Sequence, residues 1–250
     1  MVSMGIATLI QGAIWVALLL VLPAANSAPI TVPNFSQCDI AADKAPRGDP
    51  TVYYFNCCMP YVPPHKVVQF SLDAYKSAKN RVRHPAHRVS ENYIAKYNKA
   101  YALMKALPDT DPRSLKVQAD LHCAFCNGAY KQAGGDTPLQ VHFSWLFLPW
   151  HRLYIYFHER ILASLIGDPS FALVYWNWDD QRDGGNVLPP MFDRNGTALY
   201  DTKRNVNHSG SALVRLSAGS STENKSVIAS ENLNVMYQAM VTARSSDLFL

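Results

Sequence analysis

The sequence predicts a mainly α-helical single domain with long loops, and three observations predict it. Apolar residues recur at helical spacing between residues 90 and 165, inside segments that carry capping residues and prolines at their ends. Long stretches such as 183–201, "DGGNVLPPMFDRNGTALYD", hold few periodic residues and read as loop. No internal repeat and no linker divides the 250 residues, of which 48% are hydrophobic and 17% charged, enough for one real core.

The chain opens on "AIWVALLLVLPAANSAPI", an apolar core from Ala13 to Leu22, a break at Pro23, then small residues. Ala25 and Ser27 fit the small-x-small rule for signal cleavage, so residues 1–27 read as a signal peptide and 28–250 as the mature domain. The core falls short of the roughly 20 residues of a membrane span. No Lys or Arg precedes it, which is atypical of a signal. Secretory entry, to the exterior or a vacuole, permits disulfides. It also makes Asn34, Asn195, Asn207 and Asn224 readable as glycosylation sequons.

Residues 28–65 are rich in Pro and Asp and contain Cys38, Cys57 and Cys58. They read as an extended arm held by disulfides rather than by regular structure. The net charge of +4 comes from scattered basic residues. Only 79–88, "KNRVRHPAHR", is locally basic, and it reads as solvated surface rather than a nucleic-acid patch.

"SENYIAKYNKAYALMKALP", 90–108, is a helix with Ser90 as cap, a stripe of Ile94, Tyr97, Tyr101 and Met104, and Pro108 as its stop. "DPRSLKVQADLHCAFCNGAY" predicts a second, with Asp111 as cap, Pro112 in the first helical position and an end near Gly128. Leu115, Ala119, His122 and Cys126 share one face of it, and Cys123 is rotated by about 100°. "QAGGDTP" is a loop. A third helix, the most apolar, runs from about Pro149 to Leu165; "FALVYWNWDD", 171–180, reads as extended; "ENLNVMYQAM", 231–240, reads as a last helix.

His122 on the second helix, His151 at the start of the third and His142 in the segment leading into it can surround one ion. Imidazoles without a carboxylate lean towards copper or zinc. His158 shares a face with His151 but lies about 10 Å along the axis, so it belongs to no common site and reads as packing beside Glu159 and the aromatic face. His65, His84, His87 and His208 read as solvated. Cys57 and Cys58, being adjacent, each pair elsewhere, with Cys38 and Cys123 as partners. That leaves Cys126 odd, on the His122 face: a sulfur ligand, a buried thiol, or a residue modified beside the metal.

"HCAFCNGAY", "VHFSWLFLPWHRLYIYFHERIL" and "FALVYWNWD", in this order, resemble the first copper site of plant polyphenol oxidases, the catechol oxidases of tyrosinase type. With "HPAH", the 91–114 segment and "NCC", the resemblance covers about residues 35–250. It implies a tyrosinase-type helix bundle around copper, with His122, His142 and His151 as ligands of copper A. It further implies a thioether between Cys126 and His142, and disulfides Cys38–Cys58 and Cys57–Cys123. In the family two coppers, about 3.5–4 Å apart, bind dioxygen together and an o-diphenol leaves as an o-quinone.

The chain departs from that pattern. The second copper takes three further histidines, including an H-x-x-x-H pair, and after His151 only His158 and His208 follow. The expectation is therefore the copper A half of the bundle, truncated before the copper B motif, with at most one copper. Either a fragment or a natural short form accounts for this. The leader also lacks the Ser- and Arg-rich transit peptide of the family, whose habit is the plastid thylakoid lumen. Two functions compete: a copper-dependent o-diphenol oxidase, and a secreted non-catalytic protein with one structural or vestigial metal site. Dioxygen and o-diphenol are partners by resemblance; neither nucleic acid nor a membrane span after cleavage is expected.

Overall fold

The structure is a computed structural model that describes residues 30–44, 52–59, 81–142, 144–182, 184–217 and 224–242. The predicted signal peptide at 1–27 and His65 lie outside the described residues. Helix dominates: α1 is Glu91–Ala106, α2 Leu115–Cys126, α3 Phe147–Leu165 and α4 Lys225–Tyr237, the last running on into a π-helical turn at Gln238–Thr242. Among the described residues, long loops with short 3-10 turns and isolated bridges lie between α3 and α4. No described helix is long and apolar enough to cross a membrane.

α1 starts where Ser90 accepts a hydrogen bond from the Tyr93 N–H, satisfying one of the free donors of the first turn. Its stripe faces inward: Tyr97 and Met104 are buried, and Ile94 and Tyr101 pack against the same core. α1 lies on α3, whose Leu162 and Ala163 meet it, and Phe171, Met191 and Leu199 from the long loops close the cluster.

α2 begins three residues later than expected. Ser114, not Asp111, is the cap, accepting from the Val117 N–H, and it is buried. Asp111 instead turns back on Arg113, accepting from its backbone N–H at 2.8 Å and from its guanidinium. Residues 109–114 are thus turns, and the Pro112 carbonyl accepts from the Gln118 amide. The helix ends at Cys126, and Gly128, at φ 70°, takes the left-handed conformation that reverses the chain.

α3 begins at Phe147 rather than Pro149, so the proline sits in the first turn, where its missing N–H costs nothing. α4 begins six residues before the expected segment because Asn224 caps it, accepting from the Ser226 N–H. Residues 171–180 form one bridge, Pro85 to Tyr175, and are otherwise irregular, with Trp176 donating to the carbonyls of Gly185 and Val187.

The arm has regular structure after all. β1, Ala41–Lys44, pairs antiparallel with β2, Val52–Phe55, in the register Ala41–Phe55 to Lys44–Val52. "VYYF" is β-branched and aromatic, which suits a strand. The arm docks against the end of α2: Ala41 and Cys57 are buried with Ala124, Ala129 and Tyr130. Asn34 and Asp39 donate to the carbonyls of Lys131 and Ala129, and disulfides join Cys38 to Cys58 and Cys57 to Cys123.

The basic segment is not simply solvated. Arg81 and Arg83 each donate to Glu159, at 3.0 and 2.8 Å, and that carboxylate also accepts from the Leu173 N–H at 2.8 Å. Its side chain is only 3% exposed. Burial alone would raise the Glu159 pKa, but the two guanidiniums and the backbone N–H outweigh it and hold the carboxyl below its ordinary value.

Candidate metal centre

His122 reaches the centre from a half-buried position on α2. Leu115, Ala119 and Cys126 lie on the same face at helical spacing, and Cys126 is buried beneath it. Cys123, turned away by one residue, faces the arm and meets Cys57 there. One helix thus divides its two cysteines between the metal face and the arm.

His142 comes from the segment before α3, shaped by hydrogen bonds of its neighbours. Leu139 N–H donates to the Tyr130 carbonyl at 2.7 Å, and fully buried Val141 donates to that of Phe125. The backbone N–H of His142 donates to the Gln140 side chain at 3.0 Å, and Ser144 ties the turn back to the Val141 carbonyl. Backbone bonds therefore aim this ring, rather than a helix.

His151 stands in the second turn of α3, and its Nδ1 lies 2.7 Å from the Phe147 carbonyl one turn back. A carbonyl only accepts, so Nδ1 carries the proton and Nε2 presents a lone pair. Fixing the tautomer through the distal nitrogen is how protein surroundings orient an imidazole for a metal.

The three rings converge. Their centroids are 5.3–5.5 Å apart pairwise, and the Nε2 atoms of His122 and His151 face each other at 3.2 Å. One potential ligand atom from each of His122, Cys126, His142 and His151 lies within 4.8 Å of the other three. Cys126 Sγ is 3.8 Å from His151 Nε2. The His122 pKa is lowered by burial and by the two neighbouring imidazoles, which favours the neutral, ligating form. Burial pushes the Cys126 thiol up to about 12, so it is protonated at neutral pH unless something reacts or coordinates with it.

This donor set fits a metal ion. Converging imidazole nitrogens with no carboxylate in the cluster suit copper or zinc far better than calcium or magnesium. Among the described residues it is the one such cluster of His, Cys, Asp or Glu.

The other described histidines stay apart. His84 and His208 are exposed. His87, expected to be solvated, is half-buried in a 3-10 turn at Ala86–Arg88. His158 lies outside the centre and packs on aromatic rings, Tyr154 and Tyr101, with its Nε2 3.0 Å from the Tyr101 hydroxyl. Sequence reasoning missed the supports of the trio. Trp150 and Tyr154 pack on His122, and Tyr154 donates to the Gln118 carbonyl at 2.8 Å, tying α3 to α2. Their i, i+4 spacing on the helix that carries His151 was the available signal.

Comparison with known proteins agrees with this geometry. Residues 112–246, more than half of the chain, match the common central domain of tyrosinase. Polyphenol oxidase E, chloroplastic, of Solanum lycopersicum is 46% identical over 225 residues, 88% of this chain and 37% of the tomato protein. Catechol oxidase B, chloroplastic, of Solanum tuberosum is 45% identical over 227 residues, again 88% of this chain and 37% of the relative. The crystal structure of Grenache (Vitis vinifera) polyphenol oxidase superposes with a TM-score of 0.75 at 45% identity, covering 86% of this chain and 61% of the other. The chain spans little more than a third of the length of these curated relatives. With its helices, its histidine cluster and its matched domain in agreement, this chain belongs to the tyrosinase family.

Proposed function

We propose that the chain carries one copper of an o-diphenol oxidase, held by His122, His142 and His151. The convergence of these three rings on one point carries the reading. When bound, copper would supply the redox chemistry by which a catechol is oxidised to an o-quinone with dioxygen as electron acceptor. The chain's own residues supply the setting. His151, with its proton on Nδ1, offers a lone pair in a fixed direction. His122 is kept neutral by burial and by its neighbours. Phe147, Trp150 and Tyr154 wall the rings with apolar surface and limit access of water to them.

Cys126, the odd cysteine buried on the His122 face, is assigned a covalent role: a thioether to His142 that restricts that ring, the thiol and the ring carbon each losing a hydrogen and the two electrons passing to dioxygen. The disulfide Cys57–Cys123 ties the arm to α2, and Cys38–Cys58 closes a loop within the arm. One histidine cluster among the described residues supports at most one copper per chain of this length. The competing reading, a single structural metal site without turnover, rests on the same observation. Metal analysis after copper loading tests the assignment. One copper per chain, abolished by His122→Asn or His151→Asn, is expected; undiminished copper in these variants overturns it.

Residues 1–27 are assigned to export through the secretory pathway, on their apolar core and small-x-small end. The printed names of the relatives say chloroplastic. A fusion of 1–40 to a fluorescent protein decides between the two, since plastid fluorescence would overturn the export assignment.

A further inference from the structure

The aromatic residues behind the trio form a continuous line that runs from α3 across to α1. From His122, Trp150 and Tyr154 are the next rings, at 5.9 and 5.6 Å between centroids, and they stack on each other at 5.3 Å and 9°. His158 follows Tyr154 at 6.2 Å and Tyr101 follows His158 at 5.8 Å. On α1 the line continues from Tyr101 to Tyr97 at 5.3 Å and to Tyr93 at 6.5 Å. Tyr93 is half-buried, with the Lys96 ammonium over its ring. Trp and Tyr are the side chains most easily oxidised by one electron without breaking a bond to carbon, and contact-range spacing makes electron exchange between them fast.

A second, independent feature lies midway. The Tyr101 hydroxyl is 3.0 Å from His158 Nε2, while His158 Nδ1 is buried with no hydrogen-bond partner. An unpartnered buried polar atom is a cost that a packed core avoids. A leucine here would pack without it. What the imidazole adds is a base on the phenol proton, and burial lowers its pKa so that it is neutral and able to accept.

We propose that Trp150, Tyr154, Tyr101, Tyr97 and Tyr93 form a conduit that carries oxidising equivalents from the histidine trio to the surface, with His158 as the proton acceptor of Tyr101. The oxidant is oxygen-derived, of the hydroxyl-radical class that hydrogen peroxide produces with copper. It takes one electron from the Trp150–Tyr154 pair and becomes hydroxide. Tyr101 returns that electron to the pair, and its hydroxyl proton crosses to His158 Nε2. The products are a neutral Tyr101 phenoxyl radical and a His158 imidazolium. A dissolved reductant of the catechol class then delivers one electron through Tyr93 and Tyr97, and the proton returns from His158 to the Tyr101 oxygen. The trio is thereby protected from the oxidant it generates.

The link to the trio rests on the copper assignment above; the conduit itself does not, and two arms of the experiment keep them apart. In the first, the copper-free full chain is oxidised with flash-generated tris(bipyridine)ruthenium(III), and the radical is followed by optical and paramagnetic resonance spectroscopy. The expected result is a phenoxyl radical that disappears in Tyr101→Phe. In His158→Gln and His158→Leu it should form roughly 100-fold more slowly, the scale of a lost proton acceptor. Tyr101→Phe keeps the ring, and circular dichroism checks that it folds. A radical of unchanged yield and spectrum in Tyr101→Phe overturns the proposal. In the second arm, the copper-loaded chain is treated with hydrogen peroxide and mapped by mass spectrometry. Tyr101→Phe should accumulate several-fold more oxygen on the Trp150 and His122 peptides. Equal damage in a chain that holds its copper overturns the protective role; a chain that binds no copper overturns the metal assignment and leaves the first arm to decide the conduit.

Discussion

At Glu159 one carboxylate holds three stretches of chain together: Arg81 and Arg83 before α1, α3 itself, and the backbone of Leu173. Glu159→Gln leaves two cations facing a neutral amide, so a loss of about 3 kcal/mol in stability is expected, measurable by urea unfolding. The pH dependence has a definite sign. The folded carboxyl is held below its ordinary value, so its contribution is fully present above the unfolded pKa and disappears as the pH falls through the folded one. Glu159→Gln should therefore flatten the acid side of the stability profile; an unchanged acid limb would mean that other carboxylates set it. Cys126 is a second test at this scale. Peptide mapping of the copper-exposed, reduced protein should recover its peptide crosslinked to that of His142, and two separate peptides with Cys126 alkylated would remove the thioether.

Among the elements, the arm shows how two covalent ties and a hairpin share one task. Among the described residues its buried contacts are few, Ala41 and Cys57 on the end of α2 with Phe35 against Phe125 and Tyr130, so the disulfides close loops that apolar contact would not hold alone. Cys57→Ser is expected to lower stability by about 2–5 kcal/mol, with copper binding by the remaining fold unchanged. A wild-type melting temperature in that variant would assign the docking to the hairpin and the Asn34 and Asp39 bonds instead. α2 offers a sharper element test. Ser114→Ala should cost about 1 kcal/mol, whereas Asp111→Ala, outside the helix, should cost measurably less. Equal losses would place the cap where the sequence first suggested it.

For the whole molecule, turnover is the decisive property. Oxidation of a catechol to a quinone moves two electrons, and a single copper passing between its two common oxidation states takes only one. This chain has eight histidines, and among the described ones outside the trio His84 and His208 are exposed and His158 is engaged with Tyr101. The 250 residues alone are therefore expected to take up oxygen with a simple catechol far more slowly than a complete dinuclear oxidase. Fast uptake with two coppers per chain would show that further residues of this chain hold a second copper, and fast uptake with one copper per chain that two chains build one site between them. α3 also leaves Leu148 and Leu153 exposed at 59% and 49%, beside Trp145 at 73%. An apolar dye such as ANS should bind the native protein there, and less so in Leu153→Lys.

Much was legible in the sequence because helices are local. Ser90, the Ile94–Met104 stripe and Gly128 signal their roles within a few residues, and the 3.6-residue period alone puts His122 and Cys126 on one face with Cys123 turned away. The helical class and the candidate ligands followed from such signals and from the motifs. Contacts between distant segments were not legible. Nothing near Arg81 or Arg83 announces Glu159 some 76–78 residues on, and nothing near Tyr101 announces His158, 57 residues away. The start of α2 was misplaced for a related reason: Asp111 and Ser114 are both good caps, and which one serves depends on the burial of Ser114 and on Arg113 holding Asp111. The sequence by itself determined the helices, the cysteine faces and the residue types of the centre, since those depend on local periodicity. Only the tertiary structure decided that three imidazoles meet and that one carboxylate gathers two arginines, because the energy of a buried polar group depends on partners that only packing brings within reach.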